Sequence, residues 1–117
     1  IWVDASIAAT ASRSNFSEIE PSRLALERAA SPALRDYARM MIDEHTGLET
    51  QMRAMLQAKG VTPTDNRVSL GLHQQLATVL DQLRGLQGAA FDAAYAQHML
   101  ASHQLTLETL DASLIPE

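Results

Sequence analysis

Tyr37-Ala38-Arg39-Met40-Met41-Ile42-Asp43-Glu44-His45 and Tyr95-Ala96-Gln97-His98-Met99-Leu100-Ala101-Ser102-His103 share one pattern, Tyr-Ala-x-x-Met-(Ile/Leu)-x-x-His. Tyrosine, methionine and histidine recur in steps of four, which stacks them on one stripe of an α-helix, one turn apart. A hydrophobic core calls for apolar side chains, not for a repeated imidazole. The repeat therefore suggests an internal duplication whose halves bring His45 and His103 together.

Outward from the first copy, Leu34, Tyr37, Ala38, Met41, His45, Leu48, Met52, Met55 and Leu56 form one tight stripe. It predicts a helix from Pro32 to about Lys59, opened by Ser31 as N-cap with proline behind it and stopped by Gly60. The second copy lies in a helix from Ala89 to about Leu114, with Tyr95, Met99, His103, Thr106 and Leu110 inward. Between them, a helix starts between Asp65 and Ser69 and runs to about Leu86, burying Leu72, Leu76, Val79, Leu83 and Leu86. A first helix spans about Val3 to Ala30 on a stripe of Val3, Ile7, Ala11, Ser14, Glu18, Ala25 and Ala29. Its small residues allow close helix approach. Pro21 interrupts this stretch, and a kink or break is expected near Ser17–Pro21.

Short connections at Ser31 and near Gly88 make their flanking helices antiparallel neighbours. The expected fold is all-α, an up-down-up-down four-helix bundle, as one domain over residues 1–117. The longer loop Val61-Thr62-Pro63-Thr64-Asp65-Asn66 leaves room for the third helix to cross further over.

Composition agrees and narrows the function classes. Apolar residues make up 46% of the chain and aromatics only 4%, which fits helices better than a β-sandwich. The net charge is −5 and the single lysine is Lys59, so binding nucleic acid by phosphate neutralisation is disfavoured, as is a polybasic membrane surface. No cysteine is present, which removes disulfides and thiolate chemistry. No apolar run is long enough for a transmembrane segment. There is no Gly-x-Ser-x-Gly and no glycine-rich phosphate loop, so no catalytic motif is recognised.

Height along the bundle decides which polar residues can meet. Glu18 lies 13 residues from Ser31 and His45 lies 14; His103 lies 16 from Gln87 and His73 lies 14. At ~1.5 Å per residue all four stand roughly 20–24 Å from the end with the two tight turns. Glu18, His45 and His103 are expected to converge at mid-bundle. His73 projects to the edge of its apolar face, and His98 lies toward the other edge of its helix, outside the group.

One carboxylate and two imidazoles suit a single transition metal, with zinc, copper and iron the candidates. Met41 and Met99, one turn below, would favour copper(I) as ligands, but methionines at such positions more often fill a core. A ferritin-type di-iron centre is disfavoured, because Ile42 and Leu100 stand where its Glu-x-x-His pairs need glutamate. The competing reading is a metal-free structural or interaction module in which Glu18, His45 and His103 form a buried network. Asp92 is expected to complement the dipole of the last helix. Tyr37 and Tyr95 are expected to bury their rings and bond Glu27, Asp36 or Asp92. An apolar strip including Ile1 and Trp2 is a candidate for dimerisation.

Three segments in order carry a family resemblance: Asn15-Phe16-Ser17-Glu18-Ile19 with Leu24-Ala25-Leu26-Glu27-Arg28-Ala29, then Tyr37 to His45, then Gly88-Ala89-Ala90-Phe91-Asp92-x-x-Tyr95 followed by His103-Gln104. Together they resemble the DUF4142 domain over nearly the whole chain. Matching positions are Glu18, His45, Asp92, Tyr95 and His103. Departures are Pro21, where a helix-friendly residue or glycine is usual, and Glu44 in place of aspartate. The resemblance implies a ferritin-like fold, a bacterial and mostly exported protein, and a biochemical function not yet assigned. It thus implies a periplasmic or otherwise extracytoplasmic location, with any signal peptide absent from this chain.

Overall fold

The computed structural model describes the backbone of residues 2–114 and the side chains of residues 5–104. Val3, Thr106, Leu110 and the Ile1-Trp2 strip therefore lie outside the described side chains. The described residues form four helices: α1 (Trp2–Arg28), α2 (Pro32–Lys59), α3 (Arg67–Arg84) and α4 (Gly88–Leu114).

Local signals set the ends as the sequence suggests. Ser31 is extended and its side chain accepts the Leu34 N–H, with Pro32 opening α2. Gly60 takes φ 69°, a left-handed conformation that costs glycine nothing, and the Val61 N–H reaches back to the Leu56 carbonyl at 2.9 Å. Asn66 caps α3 and forms a reciprocal capping box with Ser69.

The bundle is not a square. α1 packs against all three other helices, and α3 also packs on α4. The loop after α2 crosses the start of α1, where the Thr64 N–H meets the Ala5 carbonyl at 3.0 Å and the Asn66 amide donates to Ser6 and Thr10. The long loop thus carries α3 across to α1, the option its length left open.

A helix with three neighbours must be slim over much of its length, and α1 buries Ala5, Ala8, Ala9, Ser12, Ser22 and Ala25, with Ile19 the largest apolar side chain among them. Of the expected stripe, Glu18, Ala25 and Ala29 are buried and Ile7 is not. Ile7 is 62% exposed and lies on the rim of a shallow groove with Met52, Met55 and Leu56. Leu48, expected inward on α2, is likewise exposed. α1 also runs through Pro21 without a break. Proline cannot donate to the carbonyl four residues back, here Ser17. The structure supplies a substitute: His98 Nε2 on α4 lies 3.2 Å from that carbonyl. A carbonyl only accepts, so His98 donates from Nε2.

The main core fills the end with the two tight turns. Ala25, Ala29, Ala38, Met41, Leu83, Phe91, Tyr95 and Met99 pack as one cluster. Phe91 stacks on Tyr95 with ring centroids 5.9 Å apart, and Tyr37 meets Tyr95 edge-on at 6.4 Å. The buried Tyr95 hydroxyl pairs with Ser22 Oγ at 2.7 Å. Ser22 is thus its partner, in place of the acidic residues expected. Met41 and Met99 belong to this cluster as space-filling side chains. Among the described residues no helix is long and apolar enough to cross a membrane.

Candidate metal centre

Glu18, His45 and His103 come from α1, α2 and α4, and each presents a donor atom within 4.8 Å of the other two. Their heights along the bundle agree with the expected common level, and the fold brings them together there. His73 is elsewhere: it is exposed, and its Nδ1 lies 3.0 Å from the Arg13 guanidinium. His98 is outside the group too, engaged with Ser17.

Glu18 is the floor of the site, only 2% exposed. Its two oxygens have different surroundings. Oε1 accepts a hydrogen bond from Ser102 Oγ at 2.6 Å. Oε2 is buried, has no hydrogen-bond partner among the described residues, and lies 3.6 Å from His103 Nε2. A buried carboxylate oxygen with nothing to accept from is costly, on the order of 1–3 kcal/mol or more for a charged group. The other side of the site is open, since the His103 side chain is 43% exposed.

His45 is oriented from behind. Its Nδ1 lies 3.1 Å from Asn15 Oδ1, and the Asn15 amide donates to Glu49 Oε1 at 3.0 Å. Glu49 Oε2 in turn accepts from Ser12 at 2.7 Å and Arg53 at 2.8 Å. Burial works to raise the Glu49 carboxyl, but hydrogen bonds from Asn15, Arg53 and Ser12 outweigh it and hold the group below its ordinary range. The periodicity of α1 marked Glu18 but not Asn15, because an asparagine three residues from a carboxylate gives no pattern of its own.

Two tyrosines border the group on the core side. Burial first, then the negative charges of Glu18 and Glu44, push the Tyr37 phenol up. Burial pushes Tyr95 to about 12, with the Ser22 hydrogen bond acting the other way. Asp92 is not part of the site. Its carboxylate leaves the axis of α4 to accept the Ala30 N–H at 2.9 Å and the Ser31 N–H at 3.0 Å, pinning the α1–α2 turn. This is a different task from the dipole role expected of it.

The donor chemistry suits a mononuclear transition metal. Metal–nitrogen and metal–oxygen bonds of roughly 2.0–2.2 Å at a tetrahedral angle put neighbouring donors about 3.3–3.6 Å apart. The 3.6 Å between Glu18 Oε2 and His103 Nε2 is close to that spacing. A widest donor separation of up to 4.8 Å requires one side chain to close by about 1 Å. Among the described residues the group offers two imidazoles and one carboxylate, which leaves a fourth position on the exposed side.

No curated protein and no solved structure matches the chain. A family model does, the "Domain of unknown function (DUF4142)", over residues 3–116. With nearly its full length matched, the chain belongs to the DUF4142 family.

Proposed function

We propose that this protein binds one divalent transition metal between Glu18, His45 and His103, with zinc, copper and iron as candidates, in a ferritin-like bundle that works outside the cytoplasm. The observation that carries the reading is Glu18 Oε2, a buried oxygen beside two imidazoles that has no hydrogen-bond partner among the described residues. A cation would satisfy it. The exposure of His103 suits an ion that is taken up and handed on, as in metal scavenging. The exported habit of the family supports the location.

The test is elemental analysis of protein purified without an affinity tag, with thermal melts in the presence of zinc, copper or iron. Near-stoichiometric metal, or a large rise in melting temperature with one ion, is expected. His45→Ala and His103→Ala are each expected to abolish binding and keep the helical signal. Stoichiometric metal retained by the double variant would sink the assignment. The Ser102–Glu18 bond favours a second reading, a metal-free network that fixes α1 against α4. That reading expects no metal and no shift.

A further inference from the structure

We propose that Glu49 is a positioning residue for this site: acting through Asn15, it keeps the proton of His45 on Nδ1 and leaves the lone pair on Nε2. The inference deepens the metal-binding reading, but the tautomer is a property of the metal-free protein and stands or falls by itself.

The polarity of the chain is forced from its far end. Arg53 only donates, and it gives one N–H to Glu49 and another to Ser12 Oγ, the latter at 3.0 Å. Ser12 thereby accepts, and its own hydrogen goes to Glu49. Glu49, held ionised by these donors, only accepts. The Asn15 amide must therefore turn its NH2 to Glu49 and its carbonyl to His45. Facing a carbonyl, His45 Nδ1 must carry the proton. The only lone pair left on the ring is on Nε2. Metal-bound histidines are commonly oriented in this way, with the second nitrogen donating to a carbonyl or carboxylate. Here that carbonyl is fixed by a carboxylate one residue further on, and the carboxylate by an arginine.

The chain can be reversed without changing its shape. In Glu49→Gln, the new amide keeps its oxygen toward Arg53 and Ser12 and turns its NH2 toward Asn15. Asn15 then flips, presents its own NH2 to His45, and Nδ1 becomes an acceptor. The proton moves to Nε2, and no lone pair remains for a metal. Adding Asn15→Asp to Glu49→Gln restores a pure acceptor beside His45, with the same net charge as the natural chain. The proton should return to Nδ1.

The experiment is long-range proton–nitrogen correlation NMR on metal-free protein labelled at histidine nitrogen, at pH 8, where an ordinary imidazole is neutral. His45 is identified by the signal missing from His45→Ala. The expected order is Nδ1–H in the natural chain, Nε2–H in Glu49→Gln, and Nδ1–H again in the double variant. Metal affinity, by calorimetric titration with zinc, should fall about 10–100-fold in Glu49→Gln and recover in the double variant. A natural chain with Nε2–H, or a Glu49→Gln protein that stays Nδ1–H, overturns the proposal. If the tautomers follow the expected order but zinc does not bind the natural chain, the positioning role holds and the metal reading fails.

Discussion

Replacing His98 by leucine tests how α1 carries a proline in mid-helix. Pro21 has no N–H for the Ser17 carbonyl, and His98 Nε2 takes its place from α4 at 3.2 Å. Ser17 is buried, so water is a poor replacement donor. A made hydrogen bond contributes about 0.5–1.5 kcal/mol net, but stranding a buried acceptor costs about 1–3 kcal/mol. His98→Leu should therefore destabilise the fold by about 1–3 kcal/mol. In a Pro21→Ala background the backbone regains its own donor for Ser17, and the same substitution should cost at least ~1 kcal/mol less. Urea unfolding followed by far-UV circular dichroism on all four proteins of the cycle gives the coupling. The cycle subtracts whatever cavity Pro21→Ala leaves by itself. An equal cost of His98→Leu in both backgrounds would mean that the Ser17 carbonyl is satisfied some other way and would refute the reasoning.

Three further outcomes are expected. Tyr95→Phe strands the buried Ser22 hydroxyl and should cost about 1–3 kcal/mol at neutral pH, whereas adding Ser22→Ala should cost little more. With its folded pKa raised from 10.0 to about 12, Tyr95 contributes a stabilisation that is whole below pH 10 and lost as pH rises through about 12. Urea unfolding between pH 9 and 12 should show a steeper fall in the natural chain than in Tyr95→Phe; parallel curves would contradict the burial argument. Asp92→Ala removes the acceptor for two backbone N–H groups and should speed hydrogen exchange at Ala30 and Ser31 while lowering the melting temperature. Unchanged exchange there would show that the turn closes without it.

The sequence carried the helices and the three-residue group, because periodicity and height along a bundle depend only on counting. His45 and His103 announce themselves by repetition, and Glu18 follows from its distance to Ser31. The rest depends on which helix lies beside which. A one-sided reading of α1 puts Ile7 inward; with three neighbours the helix buries mostly alanine and serine, with Glu18, Ile19 and Pro21 beside them. Pro21 read as a break, since a donor 77 residues away on another helix leaves no local trace. Asp92 read as a helix-end charge, because its partners belong to a turn 61 residues earlier. Tyr95 was given an acidic partner, and the fold brings it a serine. Side chains that bridge helices are specified by the fold, and a single sequence marks them only by residue type.

The unequal oxygens of Glu18 bear on which ions the site can tell apart. Because Ser102 donates to Oε1, the metal of the proposed site would find Oε2 the freer of the two carboxylate oxygens. Calcium gathers six to eight oxygens and often grips a carboxylate with both, while magnesium keeps a near-octahedral shell of oxygens. Neither demand is met by one carboxylate oxygen and two ring nitrogens. In the proposed site the serine hydroxyl would thus act as a filter on ionic hardness: it engages one carboxylate oxygen and leaves nitrogen in the majority, tilting the site away from the abundant alkaline-earth ions.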